Sequence, residues 1–225
     1  MKPNNIIRQS FDKKTEFDNS AASLIIDLAN KAINKKGFFS IVLCGGGTPK
    51  TIYSKLANAD TDWSSWYVYF GDERCLPIDH PDRNSLMAHD SWLVKSKIPS
   101  AQIFPIPSEI GNKKAADQYE SIIGQVKQFD LVLLGFGEDG HIASLFPGHL
   151  WGDDRLVIPV FNAPKAPSER VSLTIKSLSN SIDVIFLVAG KNKAKAFSSW
   201  EDPMVTPASL ISATNDVRIL TFDIN

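Results

Sequence analysis

What this chain lacks narrows its biology before any motif is read. Two cysteines in 225 residues, Cys44 and Cys75, cannot build a disulfide scaffold, and a reduced cytosolic protein is the simplest reading. No apolar run approaches the ~20 residues of a membrane span, and the opening segment MKPNNIIRQSFDKKTEFDNS holds no signal-peptide core. Neither charge is in excess: 24 Lys and Arg against 25 Asp and Glu leave a net charge of −1, spread along the chain. That balance excludes a nucleic-acid footprint or a polybasic membrane surface, but it leaves room for a local basic pocket. The four histidines lack metal-ligand spacing. His80 and His89 match neither each other nor the cysteines, and His141 and His149 lie on either side of Pro147-Gly148, unlike a helical zinc motif. A cytoplasmic protein is expected, with no metal, no cofactor and no nucleic-acid or membrane partner. Internal repeats and long linkers are absent too, so residues 1–225 read as a single domain.

What is present is an alternation of two patterns. Apolar runs at 38–44, 66–70, 129–135, 156–161, 171–175, 183–190 and 217–222 read as buried strands. They are continuous in apolarity, as expected where helices cover both faces of a parallel sheet. Between them lie helical stripes: Ala21, Leu24, Ile25, Leu28 and Ala32 before a Lys35-Lys36-Gly37 stop, and then Ala115, Tyr119, Ile122, Ile123 and Val126. Both read as core faces. The expected fold is α/β, a mainly parallel sheet with helices on both faces in Rossmann-like layers.

Three strands run into polar or glycine-rich loops, and ligands of such sheets bind at the carboxyl ends of strands. In Cys44-Gly45-Gly46-Gly47-Thr48-Pro49 the glycines allow a sharp turn and a close backbone approach. Thr48 reads as the N-cap and Pro49 as the first helical residue, leaving exposed N–H groups suited to phosphate. A tight turn with no ligand is the alternative; a P-loop is excluded, since G-x-x-x-x-G-K-[ST] is absent. Gly71-Asp72-Glu73-Arg74 follows the next strand. Taken alone it reads as a solvated turn, but beside the glycine loop Arg74 offers a fork matched to phosphate, which an acidic neighbour would orient. Gly135-Phe136-Gly137-Glu138-Asp139-Gly140-His141 contains a literal G-x-G-x-x-G. The early Pro147 and the ending of the next strand in Phe161-Asn162, where a ribose-binding acid belongs, make the dinucleotide fingerprint a decoy. His141 is then the informative residue, a candidate general base that either Glu138 or Asp139 would orient. Arg170 and Lys193 read as surface charges or, with Arg74, as a cationic cluster. Cys44 and Cys75 read as bystanders.

GGGTP, GDERCLPIDHPDRN, FDLVLLGFGEDGHIASLFPG, APKAPSERVSLT and GKNKA follow the order and approximate spacing of the 6-phosphogluconolactonase family, which the chain resembles from about residue 38 to 200. The resemblance implies a cofactor-free, single-domain hydrolase of a phosphorylated sugar lactone. It places the water-activating base on His141, and substrate contacts on Gly45, Gly46, Gly47, Thr48, Asp72, Arg74, Asn84, Arg170 and Lys193. Two departures stand out. Arg83-Asn84 replaces a frequent Ser-Asn, and Ile142 replaces a usual Thr. The second is shared with glucosamine-6-phosphate deaminases, which carry GHIA followed by FNEPG and DEY in place of DER. A sugar-phosphate sensing domain is a further alternative; it would need no base and usually carries a DNA-binding helix-turn-helix, for which the N-terminal segment is too short.

Overall fold

Strands form where the apolar runs lie. The computed structural model describes residues 5–149, 154–202 and 206–224. In chain order its elements are β1 (Asn5–Phe11), α1 (Lys14–Lys36), β2 (Phe39–Leu43), α2 (Gly47–Leu56), β3 (Trp66–Phe70), β4 (Asp72–Arg74), α3 (Asn84–Ser91), β5 (Ile103–Phe104), α4 (Asn112–Ile123), β6 (Phe129–Gly135), β7 (Val157–Val160), β8 (Arg170–Leu173), α5 (Ile175–Ser179), β9 (Ser181–Ala189), α6 (Ala194–Ser198) and β10 (Asp216–Phe222). Seven strands form one sheet in the order β1-β10-β9-β6-β2-β3-β5, and every neighbouring pair is parallel. Every residue of β2 is buried, which requires both faces to be covered and explains its unbroken apolar run.

The helices follow their stop signals more faithfully than their predicted faces. Gly37 ends α1 in the left-handed conformation (φ 85°), its N–H donating to Ile33 O. The buried line of α1 is Phe17, Ala21, Ala22, Ile25 and Ala29, while Leu24, Leu28 and Ala32 are only half-buried. On α4, Ala115, Tyr119 and Ile123 point inward as expected, and the Tyr119 hydroxyl takes the Phe70 N–H (2.9 Å).

Two expectations fail and one strand goes unmarked in the sequence, each for an identifiable reason. The runs at 156–161 and 171–175 do not join the parallel sheet; β7 and β8 pair with β4 in a separate antiparallel sheet of order β4-β8-β7. A buried apolar run fixes burial but not pairing direction. The edge strand β1 was invisible because six of its seven residues are exposed and no apolar run marks it. Finally, α2 starts at Gly47 with Gly46 as N-cap, so Thr48 is the second helical residue and caps nothing with its side chain. Gly46, at φ 110°, can turn the chain two residues earlier than a threonine cap would.

β2 leads onward to β3 on one side of the sheet, while β6 leads to β9 on the other. The adjacent carboxyl ends of β2 and β6 are therefore a topological switch point, the crevice where open α/β sheets hold ligands.

Candidate active site

At that crevice lies a cavity of about 220 Å³. Its lining brings together Gly45, Gly46, Gly47, Thr48, Asp72, Arg74, Asn84, Glu138, His141, Arg170 and Lys193, residues drawn from six separate stretches of sequence. It also includes Lys165, which the sequence pattern did not single out. A lysine between two prolines in APKAPSE gives no periodic signal; only its place between two predicted strands hinted at a loop that reaches the site.

His141 stands on a loop closed upon itself, with Gly137 N–H donating to His141 O (2.8 Å) and Gly140 N–H to Gly137 O (3.1 Å). Ile142 and Leu145 anchor this loop in the core. The Ile142 that departs from the family pattern is thus a core residue and does not line the cavity. Gly137 is required by a close approach: a Cβ there would fall 2.2 Å from His141 Nδ1. The ring packs on Phe146, centroids 4.7 Å apart, and Nδ1 meets Asp139 Oδ1 at 2.5 Å. Burial would raise the Asp139 pKa, but the hydrogen bond and charge of His141 outweigh it and bring it to about 2. An ionised Asp139 accepts the Nδ1 proton and leaves Nε2 as the ring's free acceptor. Glu138 does not share this role. Its Oε1 accepts a hydrogen bond from Asn192 Nδ2 (2.7 Å), on the loop after β9.

The two arginines come from the small antiparallel sheet, where Arg74 and Arg170 are direct cross-strand partners. Like charges placed opposite each other cost stability, so the pairing makes physical sense where an anion sits between them. Arg74 Nη1 donates to Asp82 O (2.5 Å). Arg170 donates to Pro167 O (3.1 Å) and Lys165 O (3.0 Å), tying the Lys165 loop to the cavity wall. Burial pulls the Arg170 pKa down, the charge of Asp72 opposes it, and that of Arg74 adds to it. Lys193 is likewise lowered by burial, against the opposite influence of the Glu138 carboxylate.

The acids of the GDER segment are committed elsewhere. Glu73 is fully buried and does not orient the Arg74 guanidinium; its carboxylate takes the backbone N–H groups of Arg74, Asn84 and Ser85. It thereby caps α3, whose own N-cap Arg83 offers no side-chain cap. Burial raises its pKa against those three hydrogen bonds. Arg83 is buried as well, donating to Glu109 (2.7 Å) and Ile106 O (2.8 Å), and does not line the cavity. Asp72 accepts from Asn84 Nδ2 (3.0 Å) and Ser144 Oγ (2.6 Å). Cys44 lines the cavity, but burial pushes its thiol pKa up to about 12, and Cys75 reaches about 11 for the same first reason. Neither is a thiolate at neutral pH. After β6 no helix forms within residues 136–149, which removes the dinucleotide reading of G-x-G-x-x-G.

A family model described as glucosamine-6-phosphate isomerases/6-phosphogluconolactonase matches residues 12–220. The chain is 39% identical over 202 residues to the 6-phosphogluconolactonase of Synechocystis sp., covering 83% of each protein. It is 32% identical over 233 residues to 6-phosphogluconolactonase 3, chloroplastic, of Arabidopsis thaliana, covering 91% of this chain and 72% of that one. The solved 6-phosphogluconolactonase of Thermotoga maritima matches with a TM-score of 0.90 and 27% identity, over 97% of this chain and 100% of the other.

Proposed function

This chain belongs to the glucosamine-6-phosphate isomerase/6-phosphogluconolactonase family, and from that premise we propose that it hydrolyses 6-phospho-D-glucono-1,5-lactone to 6-phosphogluconate in the oxidative pentose phosphate pathway. The observation that carries the reading is the juxtaposition, in one cavity, of the Asp139-held His141 with Arg74, Lys165, Arg170 and Lys193. A base alone fits many hydrolases; a base facing four cations fits a phosphorylated substrate.

In the proposed mechanism, the cations and the first N–H groups of α2, at Gly47 and Thr48, hold the phosphate and so position the ring. His141 Nε2 takes a proton from water as its oxygen bonds to the lactone carbonyl carbon. The tetrahedral oxyanion then collapses with cleavage of the ring C–O bond, and the imidazolium returns its proton to the departing ring oxygen. Such a base contributes about 10²–10⁴-fold. Asp139 keeps the ring in the required tautomer and stabilises the imidazolium. The deaminase reading is weaker: Phe146 stands where FNEPG carries its glutamate, and it lies against the His141 ring. The unpaired thiols suit the reducing cytoplasm, although plant relatives are named as chloroplastic. No described helix is long and apolar enough to cross a membrane.

The test offers fresh 6-phosphogluconolactone and glucosamine 6-phosphate separately, with and without chelator. Lactone hydrolysis that survives chelation is expected, with no ammonia release; ammonia release without lactonase activity overturns the assignment. With spontaneous hydrolysis subtracted, folded His141→Gln protein should lose about 10²–10⁴-fold in kcat at a near-normal Tm. Full activity in that variant would remove the proposed base.

A further inference from the structure

Glu138 stands beside Asp139 in the sequence, yet its carboxylate serves a different loop. Its Oε1 accepts from Asn192 Nδ2 at 2.7 Å, a bond that joins the loop after β6 to the loop after β9. Asn192 sits at the middle of the 3-10 turn Lys191–Lys193. It is also folded back over Gly190, where a Cβ would fall 2.8 Å from Asn192 Oδ1. Gly190 has φ 111°, a conformation that sets this turn off from the end of β9. The next residue is Lys193, whose side chain lines the cavity. Glu138 lines it too and favours the charged ammonium of Lys193.

We propose that Glu138 and Asn192 are positioning residues for Lys193, strapping the loop after β9 to the loop after β6 so that the Lys193 ammonium stays in the cavity against the substrate phosphate. The inference rests on the lactonase reading above for the identity of the substrate. It gives the two neighbouring acids different roles, since Asp139 holds the base and Glu138 holds the loop that carries a cation. The strap has a cost that explains its form. A lysine carries four rotatable bonds and a strongly hydrated charge, so without a fixed backbone it would leave a half-buried position for solvent. Fixing the residue before it limits that escape.

Steady-state kinetics on Glu138→Ala, Asn192→Ala, the double variant and Glu138→Gln test this, with the phosphorylated lactone and unphosphorylated glucono-1,5-lactone as paired substrates. Loss of one hydrogen bond of this kind should raise KM for the phosphorylated lactone about threefold to tenfold in each single variant. The pH profile of kcat should stay where it is, and the unphosphorylated substrate should be indifferent. The double variant should be no worse than Glu138→Ala alone, because that change already removes the contact with Asn192. Glu138→Gln, which keeps an acceptor for Asn192, should recover part of the loss. A fall in kcat with a displaced pH profile in Glu138→Ala would instead make Glu138 a partner of His141 and overturn the proposal. So would an unchanged KM in Asn192→Ala. Calorimetric titration with inorganic phosphate keeps the strap testable if neither lactone is hydrolysed: weaker phosphate binding in both single variants supports it, and unchanged binding overturns it.

Discussion

Two segments of this protein look alike in sequence: Gly71-Asp72-Glu73-Arg74, which becomes the short strand β4, and the loop Gly137-Glu138-Asp139-Gly140 each place two acids after a glycine just beyond a strand of the main sheet. In the first, both acids are buried and their oxygens are consumed by backbone amides and the side chains of Asn84 and Ser144. In the second, Asp139 keeps 35% of its side chain exposed, and the two acids reach a histidine and a neighbouring loop. The difference is one of solvent. A carboxylate taken out of water must be fully hydrogen-bonded, so it becomes part of the scaffold. One left at the edge of a cavity can hold a group that changes its proton during a reaction.

Substitutions sharpen that contrast. Glu73→Ala should be the most damaging, because it strips three backbone N–H groups of their acceptor and removes the carboxylate 3.6 Å from Arg83 Nε, leaving that buried guanidinium with Glu109; a loss of about 3 kcal/mol or more in urea unfolding is expected. A near-native midpoint would break the comparison. Asp139→Asn should reverse the pattern, leaving Tm near normal while kcat falls by about 10²-fold, since the ring loses the anion that holds its Nδ1 proton.

The pH behaviour follows with its sign. Asp139 has a folded pKa of about 2, below its ordinary 3.8, so the stability it contributes is present above 3.8 and fades as pH falls toward 2. Activity should be lost before that stability fades, because a ring that has taken up a proton can no longer accept one from water. Rate and circular dichroism recorded against pH on the same samples would show whether the two losses coincide, which would sink this separation.

Arg74→Ala and Arg170→Ala should each weaken binding of the phosphorylated lactone by about 1.5–3 kcal/mol. The stability cost should be small for Arg74→Ala, which relieves a cross-strand repulsion, and larger for Arg170→Ala, which also strips Pro167 O and Lys165 O of their donor. Equal losses on the unphosphorylated lactone would show that these arginines do not read the phosphate. The smallest effect belongs to the thiols. With Cys44 at about 12 and Cys75 at about 11, iodoacetamide at neutral pH should leave activity intact.

Much of the candidate site was legible because GGGTP, GDER and GEDGH each break the apolar pattern just after a strand. Arg170 and Lys193 were legible as charges at strand boundaries. What the sequence could not show was direction. The run around Val171 looks like any buried strand, yet its antiparallel pairing with β4 is what sets Arg170 opposite Arg74. Nor does spacing tell which acid reaches His141; Glu138 and Asp139 are adjacent, and only the turn geometry sends one to the His141 ring and the other to Asn192. Lys165 was missed because its loop is irregular and placed by the backbone carbonyls that receive Arg170.

Gly45 carries an evolutionary consequence. A Cβ at that position would fall 1.9 Å from Asn84 Oδ1 and 2.3 Å from its Cγ, and Asn84 is pinned by donating to both the carbonyl and the carboxylate of Asp72. The two positions, 39 residues apart in the chain, form a lock that single substitutions cannot pick. A lineage that replaced the glycine first would spoil its own loop, and one that shortened the asparagine first would leave Asp72 with Ser144 as its side-chain donor. Descendants of this chain should therefore keep both residues or change them together, so that a pairwise correlation between these columns outlasts drift in the residues around them.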